Sequence, residues 1–463
     1  MPLTILTDAD VRALLHSLTK QDILDLQQSL ADALHYYSTS TEDDGNGCCS
    51  SYQPIRTALK RTDGQTTLLM PASSNNGVGV KIVTLSEPVN KSSPVASFDA
   101  LSLSSARTAS TSSSTTAFDV PPDSVASSQS TTPRGSLTLM DKEGSPRALI
   151  NAEEITAFRT ALASTMLFKK RKNVHDLTVF GAGKQAYWHI RLALLLRGPE
   201  IHHLSIINRS FDSAHRLIEK LYKPFDEPVV FPTLTVPTAE ISDLSRPKIA
   251  IITPSHTEYG RLLKSTIRAS SAIFCTTPSL EPLFPASYLT STEGRKKGRY
   301  IAAIGSYKPH MVELHPDILR QAVGPQHSNH HHKHAQQGGA IVVDSVEACL
   351  KEAGEIIQAG LGGREVVEIG ELLMLKRDAD RRRQEAQQST DDLDKSGVEL
   401  GSGKKRKGAE GKEHAAGKGL TEWLQRGNVI YKSVGLGLMD VVVGEDLVRL
   451  ADERGLGTRI ENF

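Results

Sequence analysis

Apolar positions recur at helical intervals near the start of the chain. Val11, Leu14, Leu15, Leu18, Ile23, Leu26, Leu30 and Leu34 fall on one stripe, predicting helix over 7–37, with Asp8 able to cap it. The pattern then changes to short β-type runs, Ile55–Leu59, Thr66–Pro71 and Val78–Leu85. Leu137–Met140 and Ala148–Ile150 predict two more strands, with a turn over Asp141–Ser145 between them. A long helix over Ala152–Phe168 follows, with Glu153 and Glu154 in its first turn, where carboxylates favour the helix dipole. From Asp176 to Val323 strand-like and helix-like segments alternate. The runs Ile249–Ile252, Ala272–Cys275 and Tyr300–Ile304 are short, apolar and bounded by polar loops, as buried parallel strands are. Ala340–Val343 predicts a strand, Val346–Gln358 a helix, Ile356–Leu375 a turn and a short helix, and Thr421–Asp452 helix again.

One βαβ stretch carries chemistry. Asp176–Phe180 is followed by Gly181-Ala182-Gly183-Lys184-Gln185-Ala186, then an apolar helix to Gly198, then Leu204–Asn208. Strand, glycine turn, helix and second strand stand where a dinucleotide-binding unit needs them. Gly181 allows the tight turn, Gly183 lets the backbone approach a pyrophosphate, and Ala186 permits close helix–strand packing. The helix N-terminus offers free N–H groups to the phosphates. NAD-specific folds place a carboxylate about twenty residues past the turn, on the ribose 2′-hydroxyl. This chain has Asn208-Arg209-Ser210 instead. No carboxylate repels a 2′-phosphate there and a guanidinium can pair with it, so NADP(H) is expected over NAD(H), which stays possible.

Composition sets limits. The chain has 463 residues, enough for two or three domains, and a formal net charge of +1. That balance argues against a nucleic-acid or acidic-membrane partner. No segment has the apolar length of a membrane span, and Met1–Lys20 lacks a signal-peptide core. Cys48, Cys49, Cys275 and Cys349 form no CxxC pair, consistent with a reduced, cytoplasmic protein. Hydrophobic residues make up only 38%, because three stretches dilute the core: a Ser/Thr-rich insert at 90–135, a His/Gln-rich loop at 326–339 and a charged insert at 377–418. His327, His330, His331, His332 and His334 sit among Gln, Asn and Gly, and are read as a flexible loop; no metal is expected. Lys404–Lys407 is read as part of a solvated insert.

With these pieces in order, the chain resembles the ornithine cyclodeaminase/mu-crystallin family. The likeness runs through Pro54-Ile55-Arg56, Met70-Pro71, Gly79–Val83, Leu139–Asp141, Ile155–Ala161, the glycine turn, Asn208–Ser210, Cys275–Pro278, Gly305–Pro309, Val343–Ser345 and Tyr431–Gly435. The resemblance implies an α/β architecture: a Rossmann NAD(P)-binding domain inserted in an α+β substrate/dimerisation domain formed by both chain ends. The expected boundaries are 1–89 and 136–173 for the substrate domain and 174–345 for the Rossmann domain, with 346–376 and 419–463 returning as helices to the substrate domain. It also implies a homodimer and a small amino or imino acid beside the nicotinamide. By motif, Arg56, Lys81 and Arg159 line the substrate pocket, and Thr276, Thr277 and Ser433 join the cofactor site.

The chain departs from the family in one loop. Cyclodeaminases carry Gly-Gly-Asp-x-Pro, whose Asp serves as acid/base. Here the loop reads Gly305-Ser306-Tyr307-Lys308-Pro309, with Tyr307 in that place and no Asp before Leu314. A tyrosine donates a hydrogen bond but is a poor base near neutrality. The expectation is therefore an NAD(P)-dependent oxidoreductase that reduces a ketimine or oxidises an amino acid at the C–N carbon. The alternatives are an ornithine cyclodeaminase, forming proline and ammonia, and a non-catalytic NADPH-gated ligand binder like mu-crystallin.

Overall fold

The computed structural model describes residues 2–39, 53–54, 56–62, 65–86, 134–226, 229–230, 235–236, 244–324, 339–373 and 419–463. The His/Gln-rich loop up to residue 338, the charged insert, Cys48 and Cys49 lie outside the described residues, as does the Ser/Thr-rich insert apart from its last two positions, which open a strand.

Two sheets organise the chain. The first has seven strands: β1 (Leu3–Leu6), β2 (Thr57–Lys60), β3 (Gln65–Ser73), β4 (Val78–Ser86), β5 (Arg134–Met140), β6 (Pro146–Asn151) and β17 (Thr458–Ile460). Their order is β17-β1-β6-β5-β4-β3-β2, with antiparallel pairing except between β1 and β6. Side chains alternate as the pleat requires. In β4, Gly79, Lys81 and Val83 face inward, while Val78 and Ile82 stay exposed. The second sheet has eight parallel strands: β7 (Asp176–Phe180), β8 (His203–Ile207), β11 (Lys248–Ile252), β12 (Ala272–Cys275), β13 (Tyr300–Ala303), β14 (Ile341–Val343), β15 (Val366–Glu368) and β16 (Val429–Lys432). Their order is β11-β8-β7-β12-β13-β16-β14-β15, a doubly wound Rossmann sheet. A separate two-stranded ribbon joins β9 (Val229–Val230) and β10 (Thr235–Val236).

The helix Ala152–Phe168 lies between the two sheets. Nearly every residue along it is buried, on all sides. It packs against the helices Lys184–Arg197, Gly437–Arg454 and Lys20–Thr39. Trp188 Nε1 donates to Glu154 Oε2 at 2.8 Å, joining it to the helix that follows the glycine turn. A helix apolar all round is what a buried central position demands.

Five expectations need correction. The helix over 7–37 is two helices, Asp8–Ser17 and Lys20–Thr39, preceded by β1. Thr7, not Asp8, is the cap, in a reciprocal box with Asp10. Thr19 and Asp22 repeat that arrangement, which restarts the helix after Leu18. Val346–Gln358 likewise breaks at Ala353 into Val346–Glu352 and Gly354–Ala359. Thr421–Asp452 is not helical throughout: Val429–Lys432 is a strand wedged between β13 and β14. Finally, 346–376 and 419–463 do not return wholesale to the substrate lobe, because β15 and β16 complete the Rossmann sheet. A buried apolar run of four residues has no periodicity that separates strand from helix. The helix Gly437–Arg454 does pack on β3, β4 and β5.

Candidate active site

The nucleotide turn has the geometry its sequence implies. Gly181 sits at φ +106°, and a Cβ there would stand 2.9 Å from Thr276 Oγ1 and 3.0 Å from Thr277 Cγ2. Only glycine fits that conformation and that approach. A Cβ on Gly183, at the N-cap of the helix Lys184–Arg197, would meet nothing within 4 Å, so open space lies over the free N–H groups. Ala186 is fully buried. The Lys184 ammonium lies 2.9 Å from Glu154 Oε1, and Gln185 Nε2 reaches the Thr156 carbonyl at 3.5 Å, so the turn is tied to the central helix. Asn208, Arg209 and Ser210 end β8. Asn208 Nδ2 donates to the Ser210 carbonyl, and Ser210 caps the next helix by accepting from the Ser213 N–H. Arg209 is exposed, and Arg216 Nη2 donates to Ser213 Oγ. Hydroxyls and two guanidinium groups border this end of the turn, with no carboxylate among residues 208–211.

Two of the residues expected to line a substrate pocket, Lys81 and Arg159, converge with a third residue from a different element. Lys81 comes from β4, Arg159 from the central helix and Asp440 from the helix Gly437–Arg454. Lys81 Nζ donates to Asp440 Oδ1 at 2.9 Å and Arg159 Nε donates to the same oxygen at 3.1 Å. All three are buried. Asp440 Oδ2 has no partner among the described residues, and Arg159 Nη1 meets only the weak acceptor Met439 Sδ, at 3.6 Å. Two cations against one carboxylate leave a surplus positive charge in a dry place. Burial pushes the Lys81 ammonium down to about 8; Asp440 opposes this and Arg159 adds to it. Arg159 is flanked by Gly435, at φ +92°, whose Cβ would fall 2.9 Å from Arg159 Nη2. Asp344 fixes that turn by accepting from Ser433 Oγ at 2.6 Å and from the Gly435 N–H at 2.7 Å.

Two expected residues are engaged differently. Arg56 stands outside that group: its guanidinium is paired with Glu352, at the end of the helix Val346–Glu352. Its link runs from the substrate lobe to the nucleotide lobe. The Ser433 hydroxyl donates its proton to Asp344, so toward a cofactor its Oγ can only accept. Tyr307 is half-buried beside Arg56, and Thr276 Oγ1 donates to the Phe180 carbonyl beneath the glycine turn.

The sequence reading missed Asp440, Asp344 and a further buried group at the carboxyl ends of β12, β13 and β16. Glu313 accepts the Thr277 N–H at 2.8 Å and the Gly305 N–H at 2.7 Å. Glu355 accepts the Glu313 N–H at 2.8 Å and the Ser306 hydroxyl. Lys432 Nζ donates to the Ser306 carbonyl and hydroxyl and lies 3.3 Å from Glu355 Oε2. The available signal was a charged residue within or beside an apolar run, as Lys432 follows Val429–Tyr431.

A family profile described as ornithine cyclodeaminase/mu-crystallin matches residues 119–236. An uncharacterised protein of Saccharomyces cerevisiae is 31% identical over 247 residues, a match covering 49% of this chain and 59% of that protein. A delta(1)-pyrroline-2-carboxylate reductase of Bacillus cereus is 24% identical over 325 residues, covering 69% of this chain and 71% of the relative. Among solved structures, the Thermococcus litoralis delta(1)-pyrroline-2-carboxylate reductase, in complex with NADH and L-proline, shares the fold with TM-score 0.59 at 18% identity, over 99% of this chain and 100% of that one.

Proposed function

We propose that this chain, which matches the ornithine cyclodeaminase/mu-crystallin profile over residues 119–236, is a member of that family and an NADPH-dependent reductase of a C=N bond next to a carboxylate, running in reverse as an amino-acid dehydrogenase at the same bond. The observation that carries this reading is the buried Lys81–Asp440–Arg159 group, whose surplus charge suits an α-carboxylate. The outer edge of the Arg159 fork takes the carboxylate. Lys81, held near neutrality and still charged at physiological pH, delivers the proton that an imine nitrogen needs as it becomes an amine. Asp440 aims both cations, and their burial keeps water from the reacting carbon. The glycine turn, the open space above Gly183 and the hydroxyl- and guanidinium-lined end of β8 fit a dinucleotide phosphate. A nicotinamide cofactor bound there supplies or accepts the hydride.

The loop at the end of β13 favours this reading over a cyclodeaminase. Tyr307 replaces the acid/base Asp. Glu313, the nearest following carboxylate, cannot substitute, because it is buried and filled with backbone N–H donors. The homodimer forms through the outer face of the seven-stranded sheet, where Val78 and Ile82 on β4 and Leu149 on β6 stand exposed on either side of β5. Incubation with NADPH and cyclic imines such as delta(1)-pyrroline-2-carboxylate tests the reading: a reductase consumes NADPH in stoichiometric amounts, whereas a cyclodeaminase releases ammonia from ornithine without net NADPH change.

A further inference from the structure

The order of strands fixes which part of a dinucleotide lies where. The end of β8 carries Asn208–Ser210 and the end of β7 carries the glycine turn, so the adenosine and pyrophosphate lie over these two strands. The nicotinamide half then lies over the ends of β12, β13 and β16, on the other side of the switch point. Those ends are joined beneath the surface by the group of Glu313, Glu355, Lys432 and Ser306, each at most 1% exposed.

Glu313 binds the backbone of both the Thr277 loop and the Gly305 loop. Glu355 accepts from the Ser306 hydroxyl and Lys432 donates to it. Thr277 is also the residue against which Gly181 packs, and Tyr307 follows Ser306 directly. One lysine thus balances two carboxylates that would otherwise face each other in a dry interior. The other ionisable groups facing them are the Cys275 thiol of β12 and the Cys349 thiol of the helix Val346–Glu352, both neutral because burial pushes them up; beyond Cys349 lies the Asp344 carboxylate.

We propose that Lys432, with Glu313 and Glu355, is a positioning residue for the nicotinamide half of the cofactor: its charge keeps the ends of β12 and β13 in register. This inference rests on the cofactor assignment above. None of these side chains is placed in contact with substrate.

Removing the lysine leaves two adjacent buried carboxylates, which share one proton at low pH and repel at high pH. NADPH binding, followed by its fluorescence at pH 6 and pH 8, reads this without any turnover. The dissociation constant of Lys432→Met rises at least tenfold between pH 6 and pH 8, while that of the unaltered protein changes less than threefold. Lys432→Met combined with Glu355→Gln, which removes one of the two like charges, returns to the flat profile. A Lys432→Met profile parallel to that of the unaltered protein, or a double variant as steep as the single, overturns the proposal. If Lys432→Met does not melt cooperatively, Ser306→Ala decides. It keeps every charge and weakens NADPH binding at least threefold at both pH values, and unchanged binding there overturns the proposal as well. Absence of nucleotide binding by the unaltered protein is a different result, and it removes the proposed function itself.

Discussion

Lys81 Nζ and Asp440 Oδ1 meet at 2.9 Å, although 359 positions separate them in the chain. The contact unites a strand from the first quarter of the protein with its last long helix, and Arg159 joins the same oxygen from between them. Asp440 is the point where β4, the central helix and the helix Gly437–Arg454 are joined by their charges.

Replacing Asp440 by Asn therefore leaves two buried cations facing a neutral amide. Breaking a buried pair in this way costs about 3–5 kcal/mol. The midpoint of urea unfolding of Asp440→Asn falls accordingly, and catalytic efficiency falls with it. A midpoint equal to that of the unaltered protein would show that the cations are compensated elsewhere.

The pH dependence of Lys81 has a defined sign. Its folded-state value, about 8, lies below the ordinary 10.5. Between those values the unfolded chain binds more protons than the folded one, so stability contributed by this group rises with pH across that window. Imine reduction runs the other way: it declines above pH about 8 as the proton donor is lost. Lys81→Met lacks both effects and reduces imines only residually. Denaturation curves and rate profiles from pH 7 to pH 10 check the pair, and a rate still climbing at pH 9.5 contradicts the donor role.

Arg159→Lys keeps the charge and loses the fork. Catalytic efficiency drops at least about tenfold, the equivalent of about 1.4 kcal/mol of charge-assisted hydrogen bonding. NADPH affinity stays the same, since Arg159 lies away from the glycine turn. Full kinetics on an active imine decide between this and a purely structural role, which would lower both together.

Much of this arrangement was legible in the sequence. The glycine turn, the succession of strands from β7 to β13 and the two cations that meet on Asp440, Lys81 and Arg159, could be read, because each sits in a local pattern with a physical meaning. Gly181 needs its φ, and Lys81 interrupts an apolar strand. The partners of these cations were not legible. Asp440 lies on a helix whose sequence neighbours say nothing of β4, and Asp344 satisfies backbone groups about ninety positions away. The strand Val429–Lys432 was hidden for a different reason. A run buried on both faces shows no alternation, and its pairing with β13 and β14 is set by tertiary packing.

The cofactor end gives an independent test. Arg209→Asp replaces the phosphate partner with a ribose acceptor and a repelling charge. The unaltered protein binds NADPH more tightly than NADH, and the variant reverses that order by calorimetry. Preference of the unaltered protein for NADH contradicts the assignment.

Ile82→Lys places an ammonium in the middle of the outer sheet face, between Leu69 on β3 and Ser136 on β5. A dimer through this face dissociates in the variant while the fold persists, since Ile82 already points outward. Sedimentation velocity of the two proteins at equal concentration shows the change; identical species in both would place the interface elsewhere.

The central claim is that this pocket reduces a C=N bond beside a carboxylate. The most direct measurement mixes purified protein, NADPH and delta(1)-pyrroline-2-carboxylate and follows absorbance loss together with formation of the amino acid. The account predicts one amino acid formed per NADPH consumed, with only a residual rate in Lys81→Met. Tight binding of the imine with no NADPH loss, or, when ornithine replaces the imine, proline and ammonia formed with no net NADPH change, would contradict it.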